Sequence, residues 1–235
     1  MFYYLGVDLG GGSNTWAVAL KKLPKRGLLL ENVLSFNETE LKNVTSEEIF
    51  AFVKNNRVLA LSIDAPLSFS LKVEKGFRLA DLALRNLLPG PYRKWVLSYH
   101  TLMGIPLRGL LLAQKLSPYC GTILETHPRA SFYFLLPEEK RYLASKYKKE
   151  GLFPEETDFL INYFEKHFFI KLPKMVFDKA DFLDAFICSL TSYIYVKAPE
   201  KLLFLPQEED LTGFGPFVIY FKKRKVALKL EKNLR

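Results

Sequence analysis

The sequence lacks the features of a membrane, secreted or zinc-binding protein. Its apolar runs stay below the roughly 18 to 20 residues that a membrane-spanning helix needs. Residues 1–4 lead directly into a predicted strand, without the basic start of a signal peptide. The two cysteines, Cys120 and Cys188, are too few for a disulfide framework and lack metal-ligand spacing. We therefore expect a soluble, cytoplasmic protein with two buried thiols and no membrane contact.

The chain also contains no linker, low-complexity segment or internal repeat. At about 150 residues per domain, its 235 residues fit one or two domains. The apolar fraction of 49% and the charged fraction of 25% are those of an ordinary globular protein. Because no linker is present, we expect a single domain over 1–235.

Positive charge exceeds negative charge, with 34 Lys and Arg against 25 Asp and Glu and a net charge of +9. This excess favours a polyanionic partner such as nucleic acid, but only weakly, because lysine is scattered along most of the chain. Dense basic runs at 146–149 and 222–225 are more often solvated helix faces or turns than docking surfaces. We interpret both runs as solvent-exposed.

Apolar periodicity predicts several strands, followed by strands that alternate with helices. The first two strands are expected to form a hairpin around the glycine turn, and 92–107 is left unassigned. The predicted strands are 2–9, 15–21, 28–36, 57–63 and 121–125, with a terminal hairpin of 216–221 and 226–231. One predicted helix begins at Thr45 or Ser46, and another begins at His127-Pro128. The other predicted helices cover 76–88, 107–116, 138–149, 154–168 and 179–196. This order predicts an α/β fold in which helices cover a mixed sheet.

Three acids, Asp8, Asp64 and Glu125, each lie at or just before the C-terminal end of a predicted strand. In open α/β sheets the functional crevice lies beyond the carboxyl ends of the strands, so these distant residues can converge. Converging carboxylates repel one another and are costly to desolvate. Basic residues near them in the sequence are few. The pattern therefore favours a bound cation.

The predicted helix over 179–196 supplies two more acids, Asp181 and Asp184, on one face. Alternatives remain open: Asp181 could be an ordinary acid at a helix N-terminus, Asp184 a buried hydrogen-bonding group, and Asp8 a cap of the glycine turn. Taken together, the acids predict an all-oxygen site, which suits Mg²⁺ or Mn²⁺. Two such ions about 4 Å apart can activate water and stabilise the leaving oxygen of a phosphodiester. The chemistry implied is phosphodiester hydrolysis.

The sequence resembles the domain of unknown function 429 family, whose members are predicted nucleases with an RNase H-like fold related to RuvC-type resolvases. The matching segments occur in family order and span most of 5–196: GVDLGGGSNTWAVAL at 6–20, LSIDAPLSF at 61–69, GFRLADLALRNLL at 76–88, ETHPRASFYFL at 125–135, SKYKKEG at 145–151 and ADFLDAFICSLTSY at 180–193. The resemblance implies an RNase H-like domain with three N-terminal antiparallel strands. Its core would cover about 1–196, with a C-terminal hairpin extension over about 215–232.

The resemblance also implies roles for individual residues. Metal binding is expected from Asp8, Asp64, Glu125, Asp181 and Asp184, with Asp8 as the bridge between two ions. Catalysis is expected from Asp8, Asp64, Glu125 and Asp184. Where the family often has a paired acid, this chain has Ala180-Asp181, one carboxylate fewer.

Three further residues are candidates for binding substrate. Arg78 and Arg85 could hold phosphate by bidentate hydrogen bonds, but geometry alone slightly favours a network with Asp81 one helical turn away. His127 could be a proton shuttle or orient a ligand, and a hydrogen bond at the start of a helix is the alternative.

The main expectation is a metal-dependent nuclease acting on DNA or RNA, with a homodimer, as in resolvases, left open. One alternative is an ATP-binding phosphotransferase of the actin and sugar-kinase type, which shares the Asp, glycine and Ser pattern of 8–13. That fold normally carries a second glycine-rich loop, which this sequence lacks. The other alternative is a catalytically silent nucleic-acid-binding protein.

Overall fold

A mixed seven-stranded sheet forms the centre of the protein. The computed structural model describes residues 2–11, 14–23, 27–70, 75–207 and 212–221. The strands are β1 (Tyr3–Leu9), β2 (Thr15–Leu23), β3 (Gly27–Leu30), β4 (Phe36–Asn37), β5 (Glu40–Leu41), β6 (Val58–Asp64), β7 (Ser68–Phe69), β8 (Ile123–Thr126), β9 (Leu202–Phe204), β10 (Thr212–Gly213) and β11 (Phe217–Tyr220). The α-helices are α1 (Ser46–Asn55), α2 (Leu79–Leu87), α3 (Tyr99–Leu102), α4 (Ile105–Leu116), α5 (Pro128–Leu135), α6 (Leu143–Lys146), α7 (Pro154–Phe168) and α8 (Ala180–Lys197).

The order of strands in the central sheet is β3-β2-β1-β6-β8-β11-β9. Strands β1, β6, β8 and β11 are parallel to one another, whereas β2, β3 and β9 run antiparallel to their neighbours. The central strands are buried on both faces, which explains their nearly continuous apolar sequences. The predicted α/β class with a mixed sheet is confirmed.

Helices cover both faces of this sheet. On one face, α8 packs with α5 and α7 against side chains such as Tyr4 and Leu124. On the other face, α1 and α4 pack against side chains such as Val7 and Ile63. Because side chains alternate along a strand, Asp8 and Asp64 belong to the α8 face.

Local sequence signals set several of the helix boundaries. The predicted start of α1 is confirmed: Thr45 Oγ1 accepts a hydrogen bond from Glu48 N at 3.2 Å, and Glu48 Oε2 accepts one from Thr45 N at 2.7 Å. The predicted strand over 28–36 is too long, since β3 ends at Leu30 and Leu34 has a positive φ of 59°.

The predicted helix over 138–149 is interrupted. A short 3₁₀ helix covers Glu138–Lys140, and α6 is a single turn that ends at Lys146. Arg129 donates hydrogen bonds to Ala144 O at 2.9 Å and to Ser145 O at 3.2 Å. These carbonyls would otherwise accept from the next turn, so a tertiary contact ends the helix.

The C-terminal strand β11 belongs to the central sheet. It pairs in parallel with β8 and antiparallel with β9. The first arm of the hairpin predicted over 215–232 is therefore part of the sheet, while its second arm and the basic run 222–225 lie outside the described residues. None of the helices in the described ranges has the length and apolar character that a membrane crossing needs.

Helix α8 lies directly against the backbone of β1 at Gly6. A Cβ atom on this residue would lie 2.0 Å from Ser189 N and 2.2 Å from Ala185 O. Both of these are backbone atoms of α8, which cannot move aside as a flexible side chain can. Glycine is therefore required at this position of β1.

Two serine hydroxyls fix the register of α8 on the sheet. Ser192 Oγ donates to Leu5 O at 2.8 Å and lies 2.7 Å from Ser62 Oγ. These buried bonds link α8 to β1 and β6 at once. Because the helix runs opposite to β1, its first turns, which carry Asp181 and Asp184, come to lie at the end of β1.

We predict that Gly6→Ala lowers the free energy of unfolding by about 1–3 kcal/mol or more, the usual cost of overpacking. Gly90→Ala is the matched control, because a Cβ there meets nothing within 4 Å. Its effect should stay within about 0.5 kcal/mol, as for ordinary surface changes. Urea denaturation measures both, and equal stability of the two variants would contradict the close approach of α8.

Candidate active site

The candidate site is a cleft of about 500 Å³ at the C-terminal ends of the parallel strands. Asp8 and Asp64 are register partners at the ends of β1 and β6. Both line the cleft, as does Asp181 in the first turn of α8. The expectation that strand-end acids meet an acid of the last helix therefore holds for these three residues.

Asp8, Asp181 and Asp184 form an acidic triad, in which each offers a carboxylate oxygen within 4.8 Å of the others. Asp8 and Asp184 are buried, and Asp181 is partly exposed. Asp64 lies beside the triad, and its charge acts on Asp8. Within the described chain, no hydrogen bond or salt bridge reaches the side chain of Asp8 or Asp64. Asp8 is buried and Asp64 is partly exposed to the cleft, and the charge of Lys148 acts on both acids without an ion pair to either.

Burial and mutual repulsion raise the pKa values of Asp8 and Asp64. For Asp8, desolvation is the larger cause, followed by the charges of Asp184 and Asp64, and the pKa lies well above its ordinary value. Desolvation, followed by the charge of Asp184, raises the pKa of Asp64 to about 8. A nearby divalent cation would reverse these shifts, because it stabilises the ionised forms.

Asp184 is held by two consecutive residues. Tyr147 donates its hydroxyl to Asp184 Oδ1 at 2.5 Å, and Lys148 Nζ forms an ion pair with Asp184 Oδ2. Lys148 Nζ also lies 3.9 Å from Asp181 Oδ1. Burial opposes the charge on Lys148, but the surrounding carboxylates, Asp184 first, outweigh it and raise the pKa of Lys148.

Asn14 positions Asp181. Its Nδ2 donates to Asp181 Oδ2 at 2.8 Å, while its Oδ1 accepts a hydrogen bond from Trp16 Nε1 at 2.8 Å. The indole can only donate, so it fixes the amide orientation that presents a donor to Asp181. Asp181 Oδ1 is left facing the rest of the site.

The structure places Glu125 outside the acidic triad. Its register partner on β6 is Ile63 and not Asp64, so it points to the sheet face opposite that of Asp64. Glu125 Oε2 accepts a hydrogen bond from Leu67 N at 2.8 Å, and both carboxylate oxygens pair with Arg78. Glu125 lines the cleft, but its oxygens are engaged by protein groups.

Arg78 is buried and bonded to protein groups on all sides. Nε and Nη2 donate to Asp81 at 3.0 and 2.8 Å, and Nη1 donates to Ser68 Oγ at 2.8 Å and to Glu125 Oε2 at 2.7 Å. The network with Asp81, one of the two alternatives for this residue, is present. No pair of donors is left for a phosphate, so the structure does not support the expected substrate-binding role of Arg78.

Arg85 lies away from the cleft. Its Nη1 donates to Arg93 O at 3.0 Å and to Val96 O at 2.8 Å, and its guanidinium stacks on Phe77. Arg85 is not among the residues that line the cleft. Its expected contact with substrate phosphate has no support here either.

His127 lines the cleft but acts as the N-cap of α5. Its Nδ1 accepts from Ala130 N at 3.3 Å, and its Nε2 lies 3.2 Å from Trp95 O, to which a protonated Nε2 donates. Burial lowers the pKa of His127 to about 4, which keeps the ring neutral near pH 7. The helix-start alternative therefore describes His127 in this structure.

Asn14, Arg108, Tyr147 and Lys148 belong to the site but were not identified from the sequence. Arg108 donates to Gly10 O at the glycine turn. All four reach the site from turns or neighbouring helices, so their approach depends on tertiary packing. Two features of the sequence could have indicated these residues. Asn14 lies in the glycine turn that follows Asp8, and residues 147–148 lie in the segment SKYKKEG.

The solvated interpretation of the run 146–149 is wrong for two of its lysines. Lys146 Nζ binds both carboxylate oxygens of Glu156 at 2.8 and 2.7 Å, and each of these side chains is only 12% exposed. Lys148 enters the acidic site, as described above. The chain turns after α6 and directs Lys146 and Lys148 to different partners, whereas a continuous helix would have kept both on its surface.

Basic side chains line the walls around the acids. Those facing the cleft, apart from the fully paired Arg78, are Lys94, Arg129, Lys148 and Lys149. The acids at the bottom of the cleft suit a bound cation, and the basic side chains around them suit a polyanionic ligand.

Comparisons of the chain with protein-family models, with curated proteins and with solved structures found no match. The resemblance to the domain of unknown function 429 family is therefore carried by the six quoted segments alone.

We predict that the stability of the metal-free protein falls as the pH rises. The pKa of Asp64 is raised from 3.8 to about 8, so its contribution to stability is complete below the lower value and is lost as the pH rises through the higher one. Asp64→Asn removes this titration and should flatten the pH profile. Thermal unfolding in a chelator, from about pH 5 to about pH 9, measures the effect.

The control is Asp158→Asn, which changes a carboxylate that is 52% exposed and bound to Lys174. This variant should follow the pH profile of the unmodified protein. If Asp64→Asn follows it as well, the desolvation of Asp64 is refuted.

Proposed function

We propose that the protein is an RNase H-like, metal-dependent nuclease that hydrolyses phosphodiester bonds of DNA or RNA. The observation that carries this proposal is that Asp8 and Asp64, which no hydrogen bond or salt bridge of the described residues engages, lie beside Asp181 and Asp184. Acids packed in this way ionise together only when a cation balances them.

The order of the sheet supports the RNase H-like assignment. Three antiparallel strands, β3-β2-β1, are followed by the parallel strands β6 and β8. Acids end β1 and β6, and α8 crosses β1 with further acids in its first turns. The three N-terminal antiparallel strands and the flanking helices are the features that the sequence resemblance implies for the domain.

The donor set fits Mg²⁺ or Mn²⁺. It consists of carboxylate oxygens, which these hard cations prefer, and includes no cysteine or histidine. Asp8, Asp64, Asp181 and Asp184 would hold the metal. When bound, such ions activate a water and stabilise the leaving oxygen of a phosphodiester.

The protein's own residues keep the acids in place. Tyr147 fixes one oxygen of Asp184, and Asn14 fixes one oxygen of Asp181. The second oxygen of each acid, Asp181 Oδ1 and Asp184 Oδ2, is the one that Lys148 approaches. Preorganised ligands of this kind avoid the cost of ordering them when substrate binds.

Glu125 takes a different part in this proposal. Through Arg78 and Leu67 it holds the segment that follows β6, and so supports the rim of the cleft next to Asp64. We assign it to the scaffold of the site and leave it out of the metal-binding set.

The cleft walls indicate where nucleic acid would lie. Lys94, Arg129 and Lys149 line the cleft and supply positive charge for phosphates on either side of the scissile bond. The net charge of +9 would strengthen this attraction at low salt.

We predict cleavage of DNA or RNA that depends on Mg²⁺ or Mn²⁺ and is lost in Asp8→Asn. Labelled single-stranded, duplex and branched DNA and a structured RNA form the substrate panel. Asp8→Asn should lower the rate by about 10²-fold or more, the scale observed when a charge-stabilising catalytic group is removed. The asparagine is nearly isosteric, so folding should be retained.

Asp158→Asn serves as the matched control, because it makes the same chemical change on the exposed face of α7. Its rate should equal that of the unmodified protein. A protein inert on the whole panel with both ions, or an Asp8→Asn variant as active as the control, would refute the proposal.

A further inference from the structure

Both oxygens of Asp184 are engaged by neighbouring side chains of one turn. Tyr147 occupies Oδ1 with a short hydrogen bond, and the ammonium of Lys148 lies directly against the buried Oδ2. Of the two, Oδ2 is the oxygen that a second ligand could take, because a hydroxyl held at 2.5 Å in the core leaves Oδ1 little freedom.

A divalent ion in the acidic triad and the Lys148 ammonium compete for this oxygen. Mg²⁺ binds a carboxylate oxygen at about 2.0–2.1 Å. An ammonium in ion-pair contact with the same oxygen would then stand next to the dication in a site shielded from water, where like charges repel strongly. Lys148 Nζ also lies 3.9 Å from Asp181 Oδ1. A small shift of the ammonium away from Asp184 would therefore leave it close to another acid of the triad.

We propose that Lys148 is the built-in counter-ion of the acidic triad, pairing with Asp184 while no divalent ion is present and withdrawing from it when the ion binds. The proposal rests on metal binding by the triad, which is part of the proposed function. The side chain of Lys148 is 30% exposed and lines the cleft, so an exit lies open to it. Once withdrawn, the ammonium faces the space where a substrate phosphate would lie.

Lys149 provides an internal comparison. It lines the same cleft and carries the same charge, but none of the salt bridges of the described residues joins it to the acidic triad. A general effect of positive charge near the cleft would act through both lysines. A counter-ion effect should act through Lys148 alone.

The first experiment compares Lys148→Met, Lys149→Met and Lys148→Arg by calorimetric titration of the whole protein with MnCl₂ or MgCl₂. Lys148→Met should bind the ion about tenfold more tightly or better, since it removes a competing charge at close range. It should also be less stable than the unmodified protein without metal. Lys148→Arg retains the charge and should keep the original affinity, as should Lys149→Met.

The second experiment uses the unmodified protein and so does not depend on the folding of a variant. Lysines are acylated briefly with and without MnCl₂, and the labelled sites are quantified by mass spectrometry. Labelling of Lys148 should be slow without metal and rise several-fold when the ion is added. Labelling of Lys149 should not change.

The outcomes separate this inference from the nuclease proposal. Unchanged affinity in a folded Lys148→Met variant, or unchanged labelling of Lys148 when the ion binds, overturns the counter-ion role and leaves the nuclease proposal standing. Tighter binding and increased labelling without any cleavage overturn the nuclease alone. A protein that binds neither ion overturns both.

Discussion

The candidate site depends on the contact between α8 and β1 at Gly6. Only a glycine lets the helix backbone approach the strand as closely as it does, and the Ser192 bonds then fix how far the helix is shifted along the strand. Since α8 runs opposite to β1, this register decides which helix residues meet Asp8. A displacement of α8 by one turn would carry Asp184 away from the strand end, and the acidic triad would not form.

Bringing several carboxylates together is costly, and the protein offsets only part of the cost. Lys148 and Tyr147 compensate Asp184, and Asn14 compensates Asp181. Asp8 and Asp64 receive no such partner within the described chain. These two acids lie at the strand ends, the part of an α/β sheet where ligands usually bind. A cation bound next to Asp8 and Asp64 would therefore stabilise the protein more than one bound next to acids that already have a partner.

The sequence predicted the features that depend on local patterns. Apolar runs located the central strands, the capping box located α1, and the spacing of Asp181 and Asp184 placed both on one helix face. Features that depend on strand register or tertiary contacts were not predictable. The sheet face of a strand-end acid changes with a one-residue shift in register, and no local signal sets that register for β8. The end of α6, and with it the position of Lys148, depends on Arg129 from another helix.

Glu125 and Asp64 show why position at a strand end does not suffice to identify a metal ligand. Both end neighbouring parallel strands, yet Glu125 meets a buried guanidinium and Asp64 meets none. Removing one partner of a buried ion pair costs about 3–5 kcal/mol, because the remaining charge is left uncompensated. Drawing Glu125 away to a metal would leave Arg78 with that cost, whereas among the described residues no hydrogen bond or ion pair of Asp64 would be broken. Location at a strand end therefore does not identify a metal ligand by itself, because an acid whose two oxygens are both held by a buried guanidinium, as those of Glu125 are, belongs to the scaffold.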